Sequence, residues 1–101
     1  MFYVYKFLDQ DNNIIYIGRT TGLERRMKEH KLNGHLSQEC YDKVNKIFYS
    51  KLGSNVDMKI YESYYISKYK PIYNEKNKSF GDTKLILPDL EWHEYIYTRK
   101  L

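Results

Sequence analysis

The sequence predicts one small α/β domain with the element order β-β-α-β-α, and three observations predict it. Residues 2–8 (FYVYKFL) and 14–18 (IIYIG) are rich in β-branched and aromatic side chains and flank the polar turn DQDNN, a hairpin pattern. Two later stretches, opening at Thr21 and Ser54, each place an acid three residues after a capping hydroxyl and lead into an apolar helical stripe. Between them KVNKIFYSKL, bounded by Gly53, reads as a third strand. At 101 residues the chain holds a single domain. A domain of this size buries roughly 60–70% of the surface its unfolded chain exposes, enough for one modest core.

Each element has a local reason. A four-residue hairpin loop, Asp9 to Asn12, would set Tyr5 opposite Tyr16, Tyr3 opposite Gly18 and Phe7 opposite Ile14. Those six then share one face, while Val4 and Ile17 pair on the other. Gly18 leaves open space beside two phenols. Thr21 is expected to cap the first helix, with Glu24 reaching back to it, and Asn33-Gly34 to end it. Leu23, Met27 and His30 fall at i, i+4 and i+7, and Arg26 lies four residues before His30 on an adjacent face. Ser37 could cap one short helical turn. The second main helix starts at Ser54, with Asp57 in the box position, and ends near Tyr69, because Pro71 biases Lys70 away from helical angles. Its expected stripe is Met58, Tyr61, Tyr65 and Tyr69, with Glu62 beside it rather than on the solvent side. Residues 1–74 form the expected core. Residues 75–101 are expected to be an exposed polar loop and an apolar tail that packs back on the core, anchored by Trp92.

Composition excludes several classes. Hydrophobic residues make up 42% of the chain, too many for a disordered one. No apolar run approaches the roughly 18 residues of a membrane span. Lys6 and Asp9 interrupt the apolar start, which argues against a signal peptide, so the expected location is cytoplasmic. Cys40 is the single cysteine, so an internal disulfide and a cysteine zinc site are both ruled out. Lys plus Arg number 17 against 13 acids, a net charge of +4 that favours phosphate backbones only weakly. Twelve tyrosines against four phenylalanines suit wet clefts, although tyrosine also simply builds strands.

Several of these residues recur at a telling spacing. Tyr3-Val4-Tyr5 is followed, eleven residues from the second tyrosine, by Tyr16-Ile17-Gly18; Arg26 lies eight after the glycine, and Glu62 lies twelve before Asn74. With His30 between, this order resembles the GIY-YIG nuclease family over residues 2–74. One departure is Tyr3, which stands where the first motif usually has glycine. Arg19 fills the position after the second motif's glycine that is often basic in the family.

The resemblance implies a small three-stranded, mainly antiparallel sheet flanked by helices, with the site on one sheet face. It implies a metal-dependent endonuclease that hydrolyses phosphodiester bonds, most commonly in DNA. Its catalytic residues would be Tyr5, Tyr16, Arg26, His30 and Glu62, with Gly18, Arg19 and Asn74 on the substrate side. Glu62 would hold Mg2+ or Mn2+; one protein carboxylate suffices because magnesium keeps much of its water. Arg26 would present fork-shaped donors to phosphate and stay charged. Tyr5 is the first choice for general base and Tyr16 the second. An ordinary phenol is ionised about one part in a thousand at neutral pH, so nearby cations are needed to favour phenolate. His30 would relay the proton or hydrogen-bond a tyrosine, and Asn74 would orient backbone or Glu62. His35, His93 and Cys40 receive no role.

The implied partner is double-stranded DNA, with specificity supplied by a homodimer or a further protein. Two other readings stay open: a nuclease-like module that binds nucleic acid without cutting it, and a protein-interaction domain whose tyrosines form the contact surface.

Overall fold

The computed structural model describes residues 1–74 and 83–96. Most of the expected polar loop, at 75–82, and the end of the tail, at 97–101, lie outside the described residues. Strands β1 (Phe2–Leu8) and β2 (Ile14–Thr20) form the hairpin, followed by helices α1 (Leu23–Asn33) and α2 (Gln38–Lys43). Strand β3 (Lys46–Leu52), helix α3 (Asn55–Tyr69) and strand β4 (His93–Tyr95) complete the order. The sheet is antiparallel throughout, in the order β2-β1-β3-β4, so it has four strands rather than the expected three. The fourth comes from the tail and is only three residues long, too short to leave an alternating pattern.

The hairpin closes in a different register from the one its loop length suggested. The loop holds Asp9 to Asn13: the Asp9 carboxylate accepts the N–H groups of Asp11 and Asn13 at 2.9 Å, and Asn12 takes a left-handed φ of 65°. Tyr5 therefore faces Gly18, Phe7 faces Tyr16 and Tyr3 faces Thr20, with a shift between Phe7 and Leu8. That bulge inserts one extra residue, so Ile15 packs with Tyr5 and Phe7 while Ile14 turns to the opposite face. Val4 and Ile17 do share a face, but their strand partners are Arg19 and Lys6.

Two clusters sandwich the sheet. On one face α3 packs Met58, Tyr64, Tyr65 and Ile66 against Val4, Ile17 and Leu52. On the other, α1 and α2 bring Leu23, Met27 and Cys40 onto Tyr5, Phe7, Ile15 and Ile47. The buried face of α3 differs from the expected stripe: Met58 and Tyr65 are buried, Tyr64 and Ile66 join them, and Tyr69 is 44% exposed. The Ser54 hydroxyl caps α3 by accepting the Asp57 N–H at 3.0 Å, and Lys70 closes the helix with a left-handed φ of 46° before Pro71. Ser37 caps α2 through the Cys40 N–H. Thr21 caps nothing: α1 starts after Gly22, whose N–H is taken by the Thr20 hydroxyl, and Glu24 instead accepts from the Tyr95 hydroxyl.

The described part of the tail does return to the core. The Lys6 ammonium lies 4.1 Å from the centre of the Trp92 ring, which also packs 5.7 Å from Tyr65. Leu85 and Ile86, expected in the same apolar segment, face solvent. Residues 71–74 run along the outer edge of β2. There the Tyr73 N–H donates to the Ile15 carbonyl, and both ends of the Asn74 amide bond the backbone of Ile17 at 2.8 Å. This strap satisfies an edge that would otherwise be open. Among the described residues, no helix is long and apolar enough to cross a membrane.

Candidate active site

The site is assembled around Gly18. A Cβ at this position would lie 2.5 Å from both Cζ and Oη of Tyr5, so only glycine lets that ring cross β2 so closely. Tyr5 is 1% exposed, and its hydroxyl lies 2.9 Å from Nε2 of His30. Tyr16 sits diagonally from Tyr5, with ring centres 6.1 Å apart, and is half-buried, nearer the surface. The bulge produces this stagger, because it moves Tyr16 opposite Phe7.

Helix α1 supplies two further groups from its inward side. His30 closes the Leu23–Met27–His30 stripe and is only 4% exposed. Its Nδ1 lies 2.7 Å from the Tyr41 hydroxyl, which also accepts the N–H of Leu36 at 3.3 Å. One turn earlier, Arg26 pairs with Glu29 at 3.2 Å through Nη1. Its Nε is buried and has no hydrogen-bond partner among the described residues.

Glu62 approaches from the other side of the sheet. Strand alternation turns Arg19 away from the Tyr5 face and toward α3, where its Nε meets Oε1 of Glu62 at 2.8 Å. The candidate residues therefore lie on both sides of β2, where the resemblance implied a single sheet face. β2 is the edge strand, and Gly18 offers no side chain to separate the two halves. The two halves interact, because the Glu62 charge disfavours ionisation of Tyr16.

Burial dominates the electrostatics. It pushes the Tyr5 phenol well above its usual range, with Tyr16 adding to the effect and the Arg26 charge opposing it. It pushes Tyr16 up to about 12, against the Tyr5 hydroxyl and Arg26, which both favour the phenolate. His30 falls to about 4, first through burial and then through His35 and Arg26, so it is neutral at physiological pH. Burial also raises the Glu62 carboxyl, with Arg19 pulling it back.

The structure thus brings the rings of Tyr5, Tyr16 and His30 into mutual contact within reach of the Arg26 charge, and pairs Arg19 with Glu62 on the other side of β2. Asn74 is buried, with both ends of its amide engaged on the backbone of Ile17. Two further side chains adjoin these groups, and the sequence reading gave them no role. His35 reaches Tyr16 at 3.4 Å and packs 5.5 Å from the His30 ring, and Tyr41 holds the far side of His30. The one available signal was Gly34, read only as a helix end. A Cβ there would lie 2.7 Å from Cζ of Tyr41, so the glycine makes room for that phenol. Cys40 is buried with its thiol pushed up to about 11, and His93 lies exposed on β4 beside Tyr49.

The donor set suits a lightly held divalent ion. Among the described residues no three His, Cys, Asp or Glu side chains gather as a metal cluster. Glu62 gives Oε1 to Arg19; a divalent ion held by a single carboxylate would complete its shell with water and phosphate oxygens.

The family model described as the GIY-YIG catalytic domain matches residues 1–77. Curated relatives include the UvrABC system protein C of Borrelia duttonii (strain Ly), 32% identical over 96% of this chain and 17% of the relative. That of Bacteroides fragilis is 33% identical over 70% of this chain and 12% of the relative. That of Bacteroides thetaiotaomicron is 32% identical over 97% of this chain and 17% of the relative. The chain thus spans less than a fifth of the length of these relatives.

Proposed function

The chain belongs to the GIY-YIG family of endonucleases, and from that premise we propose a divalent-metal-dependent endonuclease that hydrolyses phosphodiester bonds in double-stranded DNA. The observation that carries the reading is the buried Nε–H of Arg26, without a hydrogen-bond partner among the described residues and within charge range of the two phenols. An unmade hydrogen bond of this kind costs about 1–3 kcal/mol, more for a charged group, and a phosphate oxygen entering the pocket would remove the cost.

Each side chain then has a task. Arg26 binds and orients the scissile phosphate, its charge favouring the pentacovalent state over the ground state. Tyr16, the outer phenol, takes the proton of the attacking water. Tyr5, enclosed and bonded to His30, donates a hydrogen bond that favours negative charge on Tyr16. Burial is the ground on which this reading prefers Tyr16, the second choice from the sequence, over Tyr5. With its phenol near 12, Tyr16 would be ionised to only about one part in a hundred thousand at pH 7, so positive charge must arrive with the substrate complex. Glu62 would hold Mg2+ or Mn2+, and that ion would supply charge stabilisation at the phosphoryl oxygens. Arg19 fixes the Glu62 rotamer, and Asn74 fixes the strand that carries Gly18 and Arg19.

A net charge of +4 supplies little backbone attraction, so we expect sequence preference to come from a second copy or a partner protein, in a cytoplasmic setting with access to DNA. The test is nicking of supercoiled plasmid with magnesium. Wild type should nick, and chelator or Glu62→Gln should abolish nicking while leaving plasmid binding within about threefold. Salt-dependent binding with no nicking under magnesium or manganese would instead identify a binding module. Absence of any salt-dependent DNA affinity would identify a protein-interaction domain.

A further inference from the structure

We propose that a pocket on the α3 face of the sheet, walled by Trp92, Tyr65 and Tyr69 and carrying Lys6 and Asp89, receives one pyrimidine base turned out of the bound strand. The proposal deepens the nuclease reading and rests on it for the strand that carries the base.

The pocket encloses about 150 Å3 between Ile14 and Ile17 of β2, the two tyrosines of α3 and the returning tail. A cavity of this size takes one benzene-sized ring, which a pyrimidine matches and the fused rings of a purine exceed. Its walls suit a ring. The planes of Tyr65 and Tyr69 lie 18° apart, and Trp92 packs 5.7 Å from Tyr65. Tyr69 stays largely open to solvent, so one wall is accessible from outside.

The polar groups ask for more than a hydrocarbon. The half-buried Lys6 ammonium lies over Trp92, and among the described residues it makes neither a hydrogen bond nor an ion pair. Burial lowers its pKa, and the Asp89 charge opposes that. An ammonium only donates, whereas the Asp89 carboxylate, which takes the Tyr65 hydroxyl at 3.5 Å, only accepts. A pyrimidine answers both from neighbouring atoms: a carbonyl beside a ring N–H in thymine, a ring nitrogen beside an amino group in cytosine. A bare phosphate would satisfy Lys6 but meet the like charge of Asp89 and leave the rings without a partner. The position also fits a strand held at the site. Ile17 adjoins Gly18, and Tyr65 lies one turn beyond Glu62 along the same side of α3. Asp89, Leu90 and Trp92 fall beyond the matched residues 1–77, so the tail completes the pocket.

Trp92 is the single tryptophan of the chain, so its fluorescence reads the pocket directly. With chelator present, single-stranded oligothymidylate should quench it, and an abasic strand of the same length should quench roughly a fifth as much or less. Oligodeoxyadenylate should need about tenfold more strand for equal quenching, because its bases overfill the pocket. Lys6→Met keeps the stem against Trp92 and deletes the ammonium, and should weaken oligothymidylate binding about tenfold. Equal quenching by the abasic strand would overturn the proposal, as would equal affinity for the adenine strand or unchanged affinity in Lys6→Met. The wild-type comparison with the abasic strand decides even if the variant fails to fold. Thymine-dependent quenching in a protein that never nicks under magnesium would reject the nuclease reading and leave the pocket standing. Nicking without base-dependent quenching would do the reverse.

Discussion

Tyr5 and Tyr16 carry the same functional group, and the proposed mechanism divides their work by depth. Tyr5 is enclosed between β2 and His30, and Tyr16 occupies the half-buried outer position. Tyr16→Phe should therefore lower the nicking rate by a hundredfold or more with little change in stability, on the scale of a lost general base. Tyr5→Phe leaves a buried His30 nitrogen unpaired, so it should cost about 1–2 kcal/mol in chemical denaturation and a smaller fraction of the rate. Measuring both variants for rate and urea midpoint separates the roles; the opposite ranking in rate would return the base to Tyr5. The spacing of the motifs was legible in the sequence because it is a property of single residues along the chain. The relative depth of the two phenols was not, because it depends on a bulge set by the Asn12 left-handed turn.

At the scale of elements, what was legible was local. Ser54 caps α3 and Lys70 leaves it as expected, because both depend on residues within one helical turn. Thr21 failed as a cap because a closer hydroxyl, Thr20, took the Gly22 N–H. Tyr41 was invisible because α2 reaches the site only through a tertiary contact with α1. The strap at 71–74 is of the same kind, holding β2 from a position 57 residues away in sequence. Asn74→Ala should strand the Ile17 N–H and C=O and free the strap, at a cost of about 2 kcal/mol. It should also loosen Gly18 and Arg19, so that Glu62 is held less firmly and nicking falls even where the variant is fully folded. Hydrogen exchange at Ile17 reads the first effect; exchange as slow as in wild type would refute the strap's role.

The whole molecule carries the signature of its site in the pH dependence of its stability. His30 titrates near 4 when folded, against about 6.5 in an unfolded chain. Above pH 6.5 both states hold it neutral, and it contributes no slope. Between pH 6.5 and 4 the unfolded state binds a proton that the folded state refuses, so stability falls as pH falls, by at most about 1.4 kcal/mol per pH unit. Glu62 acts in the opposite sense, because its raised carboxyl takes up a proton sooner when folded, and this offsets part of the loss at the acidic end. Asp9 and Glu39, both held low by their hydrogen-bond partners, add to the loss once pH falls into the ordinary carboxylate range and below it. The decline between about pH 6.5 and 5 is therefore His30's own. Urea unfolding midpoints across that range should drop for wild type and stay nearly flat for His30→Gln, whose amide can hydrogen-bond but not titrate. A wild-type midpoint that holds steady over the same interval would mean that the imidazole is charged inside the fold. The Tyr5–His30 bond would then lose its freedom to choose a direction, and with it the means of favouring one phenolate over the other.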